Sequence, residues 1–363
     1  MRIGIISPYS LTLPGGVQGQ VLALARVLRT KGYETRVLGP CDGPPPDAGV
    51  TPLGNSLPTA ANGSIAPIAP DAAAQLRVIR ALQDEAFDVV HLHEPLAPGP
   101  TTTTLLVRPA PIVATFHAAG GSKAYRWLRP GVRALARRID VRCAVSEDAR
   151  RMAEAALGGT YDVLYNGIEI DRVAAAEAVA TSGPTIFFVG RHEPRKGLDV
   201  LLDALPMLPR DTRLWIAGDG PDTRALQARV AGDPRVTWLG RISDEEKLAR
   251  MRGAHVFCAP SLHGESFGIV LIEAMAARTA IVASNLPGYA NVARAGRDAL
   301  LVQPGDARSL GHALADVLAD PRRRATLVES GAERAEDFSM QRLADEYLER
   351  YARAIATHRV SER

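Results

Sequence analysis

The stretch AHVFCAPSLHGESFGIVLIEAMAA, Ala254 to Ala277, passes from a short apolar run through a polar loop into a longer apolar run. AHVFC reads as a buried strand, and the run after the loop as a helix whose first turn takes in Ser266 to Ile269. A strand feeding a helix is half of a β-α-β crossover, so the neighbouring sequence should repeat the pattern. It does. After YNGIEIDRV, strands are predicted at Thr185–Val189, Arg213–Ala217, Val236–Leu239, Val256–Cys258, Ala280–Ala283 and Ala299–Val302. Before it they fall at Ile3–Ile6, Thr35–Leu38, Val89–Leu92, Ile112–Thr115 and Val141–Val145. Helical patterns lie between, for example Val17–Lys31 and Ala72–Glu85, while the Gly/Pro-rich segment Gly39–Pro58 reads as loop. The chain predicts an α/β protein of two Rossmann-like, doubly wound domains, residues 1–168 and 169–338, joined near Asn166 to Glu177. A C-terminal helix at about 339–363 is expected to pack back on the first domain. The expected ligand site is a cleft where the two sheets face each other, at the carboxyl ends of their strands.

Composition agrees with that frame. A chain of 363 residues is too long for one ordinary core. Its 46% apolar and 23% charged residues are those of a soluble globular protein. A net charge of +3 gives no reason to expect a nucleic acid as partner. Cys41, Cys143 and Cys258 are far apart, which fits a reducing cytoplasm without disulfides or a zinc site. No apolar run is long enough to span a bilayer, and MRIGIISPYS reads as a first strand rather than a signal peptide.

The loops at the strand ends hold the unusual residues. PYSLTLPGGVQ places Gly15 and Gly16 just before a helix, where bare backbone N–H groups and the helix dipole suit a phosphate. A paired glycine is equally at home in a plain turn, and neither this loop nor AGDGPD is a dinucleotide fingerprint. His117 closes the strand of ATFHAAGG, a position where an isolated histidine is ordinarily structural. VGRHEPRKG offers Arg191, Arg195 and Lys196 at another strand end, three cations that suit a pyrophosphate or, more simply, solvent.

The opening stretch adds two carboxylates. Glu265 sits in the loop and Glu273 inside the helix, with the nearly uncharged SFGIVLI between them. A carboxylate only accepts hydrogen bonds, so beside an anion site it is useful for neutral hydroxyls attached to that anion. Two such carboxylates flanking a pyrophosphate site describe a sugar nucleotide. Taken alone, Glu265 would be a surface residue and Glu273 the partner of an arginine. The cations of the other loops favour the first reading.

Glu265 and Glu273, in GESFGIVLIEAMA, resemble the E-x7-E element of retaining glycosyltransferase family 4, which has the two-domain GT-B fold. PYS with PGGVQ, FDVVHLHEP, IVATFH, AVSEDAR, EPRKG and IVASN extend the likeness over nearly the whole chain, towards the actinobacterial phosphatidylinositol mannosyltransferases. The resemblance implies transfer of a mannosyl residue from GDP-mannose to phosphatidylinositol by an enzyme that needs no cofactor or metal; the chain has no DxD motif. It implies that Arg191 and Lys196 hold the diphosphate, with the Gly16 backbone and the turn Phe267, Gly268, Ile269 and Val270. Glu265 would bind the mannose, His117 would contact the sugar near the reacting carbon, and Glu273 would bind the ribose. Ile242, Asp244 and Lys247 in GRISDEEK match the base-binding segment. Tyr9, Gln18, Asn62, Arg195 and, after a one-residue insertion, Lys123 match acceptor-side positions. The first domain would then bind the acceptor and the second the sugar nucleotide, on the cytoplasmic face of the plasma membrane.

Two departures bear on the acceptor. The family's lysine-rich membrane helix reads AAAQLRVIRALQDEAF here, with Arg77 and Arg80 against Asp84 and Glu85, and Pro67 replaces an arginine expected near the acceptor phosphate. Another basic segment, Lys123 to Arg142, carries seven Lys/Arg against one Asp, with Tyr125, Trp127 and Leu128 among them. It is expected to meet an anionic membrane surface in place of the weakened helix. A different sugar nucleotide with another lipid or soluble acceptor, and a sugar-nucleotide-binding protein without catalysis, remain as alternatives.

Overall fold

The computed structural model describes the chain apart from Pro14, residues 62–63 and 118–128, Ser266 and residues 362–363. It falls into two units, Met1–Gly167 with Met340–Arg363, and Ile168–Ser339.

The first unit holds strands β1 (Arg2–Ile6), β2 (Glu34–Gly39), β3 (Val50–Pro52), β4 (Leu57–Ala61), β5 (Ser64–Ile68), β6 (Val89–His93), β7 (Ile112–Phe116), β8 (Val141–Ala144) and β9 (Asp162–Val163). Seven make one parallel sheet in the order β3-β2-β1-β6-β7-β8-β9, while β4 and β5 form a separate antiparallel hairpin. The run Gly39–Pro58, expected to be loop, therefore contains β3 and the start of β4. Strands this short, broken by glycine and proline, leave no periodic trace. One face of the sheet packs on the helices Gly16–Thr30 and Met340–Ser361 through Ile3, Ile5, Leu24, Leu28, Val113, Tyr347 and Tyr351. The other face buries Ile6, Leu38, Val78, Val90, Leu92 and Ile112. Burial on both faces explains why these strands read as continuous apolar runs.

The second unit holds β10 (Thr185–Val189), β11 (Arg213–Ala217), β12 (Val236–Gly240), β13 (Val256–Ala259), β14 (Ala280–Ser284) and β15 (Leu300–Val302). They form a parallel sheet in the order β12-β11-β10-β13-β14-β15. Leu201, Leu205, Ile216, Leu310 and Leu314 fill one side, and Phe187, Phe257, Phe267, Leu271, Ile272 and Tyr289 the other. In both sheets the order reverses beside the first strand, between β1 and β6 and between β10 and β13. Loops leaving such neighbours diverge to opposite faces and open a crevice at the carboxyl edge.

Candidate active site

At the reversal in the second unit, β10 runs into Gly190–Glu193 and a single 3-10 turn, Pro194–Lys196. Gly197 ends that turn at φ +64°, and a Cβ there would lie 2.0 Å from the Pro260 carbonyl oxygen. Only glycine lets this turn lie so close to the loop leaving β13. Leu262 N–H donates to the Arg195 carbonyl at 2.8 Å and ties the two loops together. Side chains then meet. Lys196 Nζ is 2.6 Å from Glu265 Oε1, Ser261 Oγ donates to the same oxygen at 2.9 Å, and Arg195 Nη1 reaches it at 3.5 Å. Ser261 is itself 3.1 Å from the buried Tyr289 hydroxyl. Glu193 accepts from Arg195 at 2.6 Å and pairs with Arg191 at 3.4 Å, so one carboxylate steadies two guanidiniums. Arg191 keeps 55% of its side-chain surface in solvent, against 21% for Lys196 and 12% for Glu265. The last two belong to a built crevice and not to the solvent-facing loop that a charged run suggests.

The helix after Glu265 is Ile269–Ala276, so its first turn begins later than the expected Ser266 to Ile269. Gly268 is the cap at φ +90°, and a Cβ there would sit 2.8 Å from Tyr289 Cδ1. Phe267 is core, 2% exposed and edge-on to Phe338. What Gly268, Ile269 and Val270 bring to the loop is a helix N-terminus, whose first amides have no partner within the helix. Ser266 lies outside the described residues. Glu273 pairs with Lys247 at 2.9 Å, a lysine where the bare sequence suggests an arginine. Lys247 also lies 3.3 Å from Asp244. Burial works against its charge, but the carboxylates of Glu273 and Asp244 outweigh it and hold the ammonium above the usual lysine range. Lys247 rides on the helix Asp244–Gly253, whose first turn carries Asp244, Glu245 and Glu246 behind the Ser243 cap, with Ile242 half-buried before it. That acidic end repels phosphate and suits the N–H groups of a base.

In the first unit Tyr9 follows β1, its N–H donating to Ser7 Oγ at 3.2 Å and its backbone bridging to Ile68. Gly16 opens the helix Gly16–Thr30 as an exposed residue with Gly15 as cap, and Gln18 is buried within the first turn. His117, half-buried after β7, is held twice from the end of β6. Its backbone N–H donates to Glu94 Oε1 at 2.8 Å, and its Nε2 lies 2.8 Å from His93 Nδ1. Burial lowers the His117 pKa to about 3 and that of His93 well below the usual value. Asn62 and Lys123 lie outside the described residues, as do Tyr125, Trp127 and Leu128 of the basic segment. Three described cations of that segment are engaged internally, a correction to its reading as an open face. Arg138 donates to the Leu105 and Leu106 carbonyls, and Arg142 to those of Gly158 and Ala136. Arg133, though exposed, donates to the Ala156 carbonyl at 3.1 Å, and Arg137 is exposed.

Ser261, Tyr289, Glu193, His93 and Glu94 were not singled out from the sequence. HLHEP does carry a signal for one of them. Two histidines two apart on a strand share a face, which is unusual in an otherwise apolar parallel strand. Chemically, the second unit offers cations for a diphosphate beside carboxylates for hydroxyls, and the first a neutral histidine.

The sequence pattern described as Glycosyltransferase Family 4 matches residues 14–172, and that described as Glycosyl transferases group 1 matches residues 183–320. The chain is 41% identical over 364 residues to the phosphatidyl-myo-inositol mannosyltransferase of Mycobacterium leprae, covering 97% of this chain and 96% of that protein. It is 40% identical to the protein of that name from Mycolicibacterium smegmatis, covering 92% and 89%. Among solved structures, Anabaena HepE in complex with UDP and glucose matches with a TM-score of 0.73 at 18% identity, over 97% of this chain and 99% of that one. Sucrose-phosphate synthase of Thermosynechococcus elongatus matches with a TM-score of 0.73 at 21% identity, over 98% and 99%. Likeness at that identity shows the fold, a GT-B pair of Rossmann-like domains.

Proposed function

This chain belongs to glycosyltransferase family 4, among the phosphatidyl-myo-inositol mannosyltransferases, and from that premise we propose that it moves a mannosyl residue from GDP-mannose to the inositol of phosphatidylinositol with retention of configuration. The observation that carries the donor half is the convergence of Lys196, Arg195 and Ser261 on Glu265 at the reversal point of the second sheet. The acceptor half is supported by the relatives, whose shared activity accompanies 41% identity over 97% of the chain.

Cleavage of the sugar–phosphate bond leaves negative charge on the departing diphosphate and positive charge at the anomeric carbon. Arg191 and Lys196 face the first: Glu193 pairs with Arg191, and Glu265 keeps Lys196 at the loop until the donor replaces it. Cations fixed in advance lower a barrier because they bind the developing charge better than the ground state. Glu265 turns from Lys196 to the mannose hydroxyls, Glu273 accepts from the ribose, and the helix of Asp244 with Ile242 and Lys247 receives guanine. By resemblance, the Gly16 amide and the Phe267–Val270 turn are assigned to the diphosphate, His117 to the sugar, and Tyr9, Gln18, Asn62, Lys123 and Arg195 to the acceptor. In this assignment protein cations supply the leaving-group charge and no cofactor takes part.

The described helices include none long and apolar enough to cross a membrane. We assign docking on an anionic bilayer to the segment Lys123–Arg142, with Arg137 as an outward cation. The deciding experiment incubates the purified protein with labelled GDP-mannose and a panel of lipid and soluble acceptors. Labelled mannolipid with phosphatidylinositol alone is expected. Transfer to another acceptor would replace the acceptor half, and neither transfer nor hydrolysis would favour a binding protein without catalysis.

A further inference from the structure

The residues that hold His117 are themselves held. His93 is 2% exposed and its ring lies 27° from parallel to that of His117, with centroids 5.0 Å apart, joined to it edge to edge by the nitrogen-to-nitrogen hydrogen bond. On its other side lies the His91 ring at 4.4 Å. His91 cannot shift, because Nδ1 is 2.8 Å from the Tyr351 hydroxyl and Nε2 is 2.8 Å from Thr115 Oγ1, which is 2.9 Å from the Tyr347 hydroxyl. Glu94, at φ +49°, fixes the main chain of His117. This much buried polar structure in the centre of a parallel sheet is costly, and packing alone gives no reason for it.

The His93–His117 bond has a direction that its surroundings decide. A neutral imidazole has one N–H and one bare nitrogen. Nε2 of His93 is buried and finds no hydrogen-bond partner among the described residues. If His117 donated from Nε2 to His93 Nδ1, His93 would have to carry its own proton on that orphaned Nε2. A buried N–H without a partner is the rarer and costlier fault, whereas an unmatched lone pair is better tolerated. The bond therefore runs the other way.

We propose that His93 is a positioning residue for sugar transfer: it donates from Nδ1 to Nε2 of His117, fixes that ring as its Nδ1–H tautomer, and so sets which nitrogen is offered to the donor sugar as a hydrogen-bond donor. This rests on the reading that His117 contacts the sugar. Burial keeps both rings neutral, so the tautomer persists at working pH. His117 then adds no cation next to a carbon that is itself becoming positive.

Two measurements test it. In 15N-histidine-labelled full-length protein without substrate, long-range 1H–15N correlation should show His117 protonated on Nδ1 and bare at Nε2. His93→Leu should lower kcat by about 10- to 10²-fold, the scale for a misplaced contact group, with KM for GDP-mannose unchanged. His93→Asn keeps an N–H near the place of Nδ1 and should recover most of the loss, with the Nδ1–H tautomer restored. An Nε2–H tautomer of His117 in the wild type would overturn the proposal whatever the variants do. So would wild-type kcat in folded His93→Leu, or His93→Asn no better than His93→Leu. Full transfer by His117→Ala would instead overturn the reading of the site, while the tautomer, measured without turnover, stands or falls on its own.

Discussion

Lys196 and Glu265 lie 2.6 Å apart, and each has been assigned to a different part of the donor. Charge neutralisation between them in the free protein keeps a half-buried lysine and a half-buried carboxylate tolerable until a diphosphate takes the ammonium. Replacing Lys196 or Arg191 by Ala should therefore cut turnover by about 10²-fold or more, the scale for a lost charge-stabilising donor. Circular dichroism should show the fold intact, and near-normal turnover in either variant would remove the diphosphate assignment. The two glutamates should separate. Glu265→Gln should chiefly lower turnover, because it faces the reacting sugar. Glu273→Gln should chiefly weaken GDP in isothermal titration, because it loses the ribose and its pairing with Lys247. GDP binding to Glu273→Gln as tight as to wild type would refute the ribose role. The residues that do chemistry were legible from their types and strand-end positions. Their mutual partners were not, since Lys196 comes to Glu265, and Tyr289 to Ser261, from other parts of the chain. Spacing along a chain does not encode which loops touch.

Strands β6 and β7 give a prediction of their own. Burial, joined by repulsion from His117, lowers His91 from 6.5 to about 3; burial alone does the same for His117, and His93 falls well below 6.5. The unfolded chain titrates near 6.5, so below that pH it takes up protons that the folded unit refuses. Stability present above pH 6.5 is thus lost as the pH falls from about 6.5 towards 3. At pH 5.5 each histidine should have removed on the order of 1 kcal/mol relative to neutral pH. Urea unfolding followed in the first unit at pH 7.5 and 5.5 should show the drop, reduced in His93→Asn, and an unchanged midpoint would contradict it. Elements buried on both faces, β1, β6, β7, β10, β13 and β14, were legible as mainly apolar runs, even with His91, His93 and Thr115 set into β6 and β7. The hairpin β4–β5 and the short β3 and β9 were not, being brief or rich in proline. The start of the helix at Ile269 was hidden for another reason. Only the left-handed turn at Gly268 shows that the residues before it are loop.

For the molecule as a whole, the two units differ in how they are written along the chain. The second is continuous, Ile168 to Ser339, with its own two cores and its ends tied by the Ile168 N–H to Phe338 carbonyl bond at 2.9 Å. The first is interrupted and needs the helix Met340–Ser361 to finish. That helix buries Met340, Leu343, Tyr347 and Tyr351 against the sheet, and the two tyrosine hydroxyls satisfy Thr115 and His91. Four large side chains at roughly 2 kcal/mol each approach the entire stability of a domain, about 5–15 kcal/mol, before the orphaned Thr115 and His91 are counted. Residues 168–339 expressed alone should therefore melt cooperatively and, as the proposed donor unit, bind GDP. Residues 1–167 alone should show no cooperative transition, and adding the peptide 340–361 in trans should restore one. Thermal melts by circular dichroism, with titration of GDP into 168–339, decide the matter. A cooperative melt of 1–167 without the peptide would show that the C-terminal helix is an ornament on a finished domain. Failure of 168–339 to fold would show that the second unit depends on contacts outside its own span.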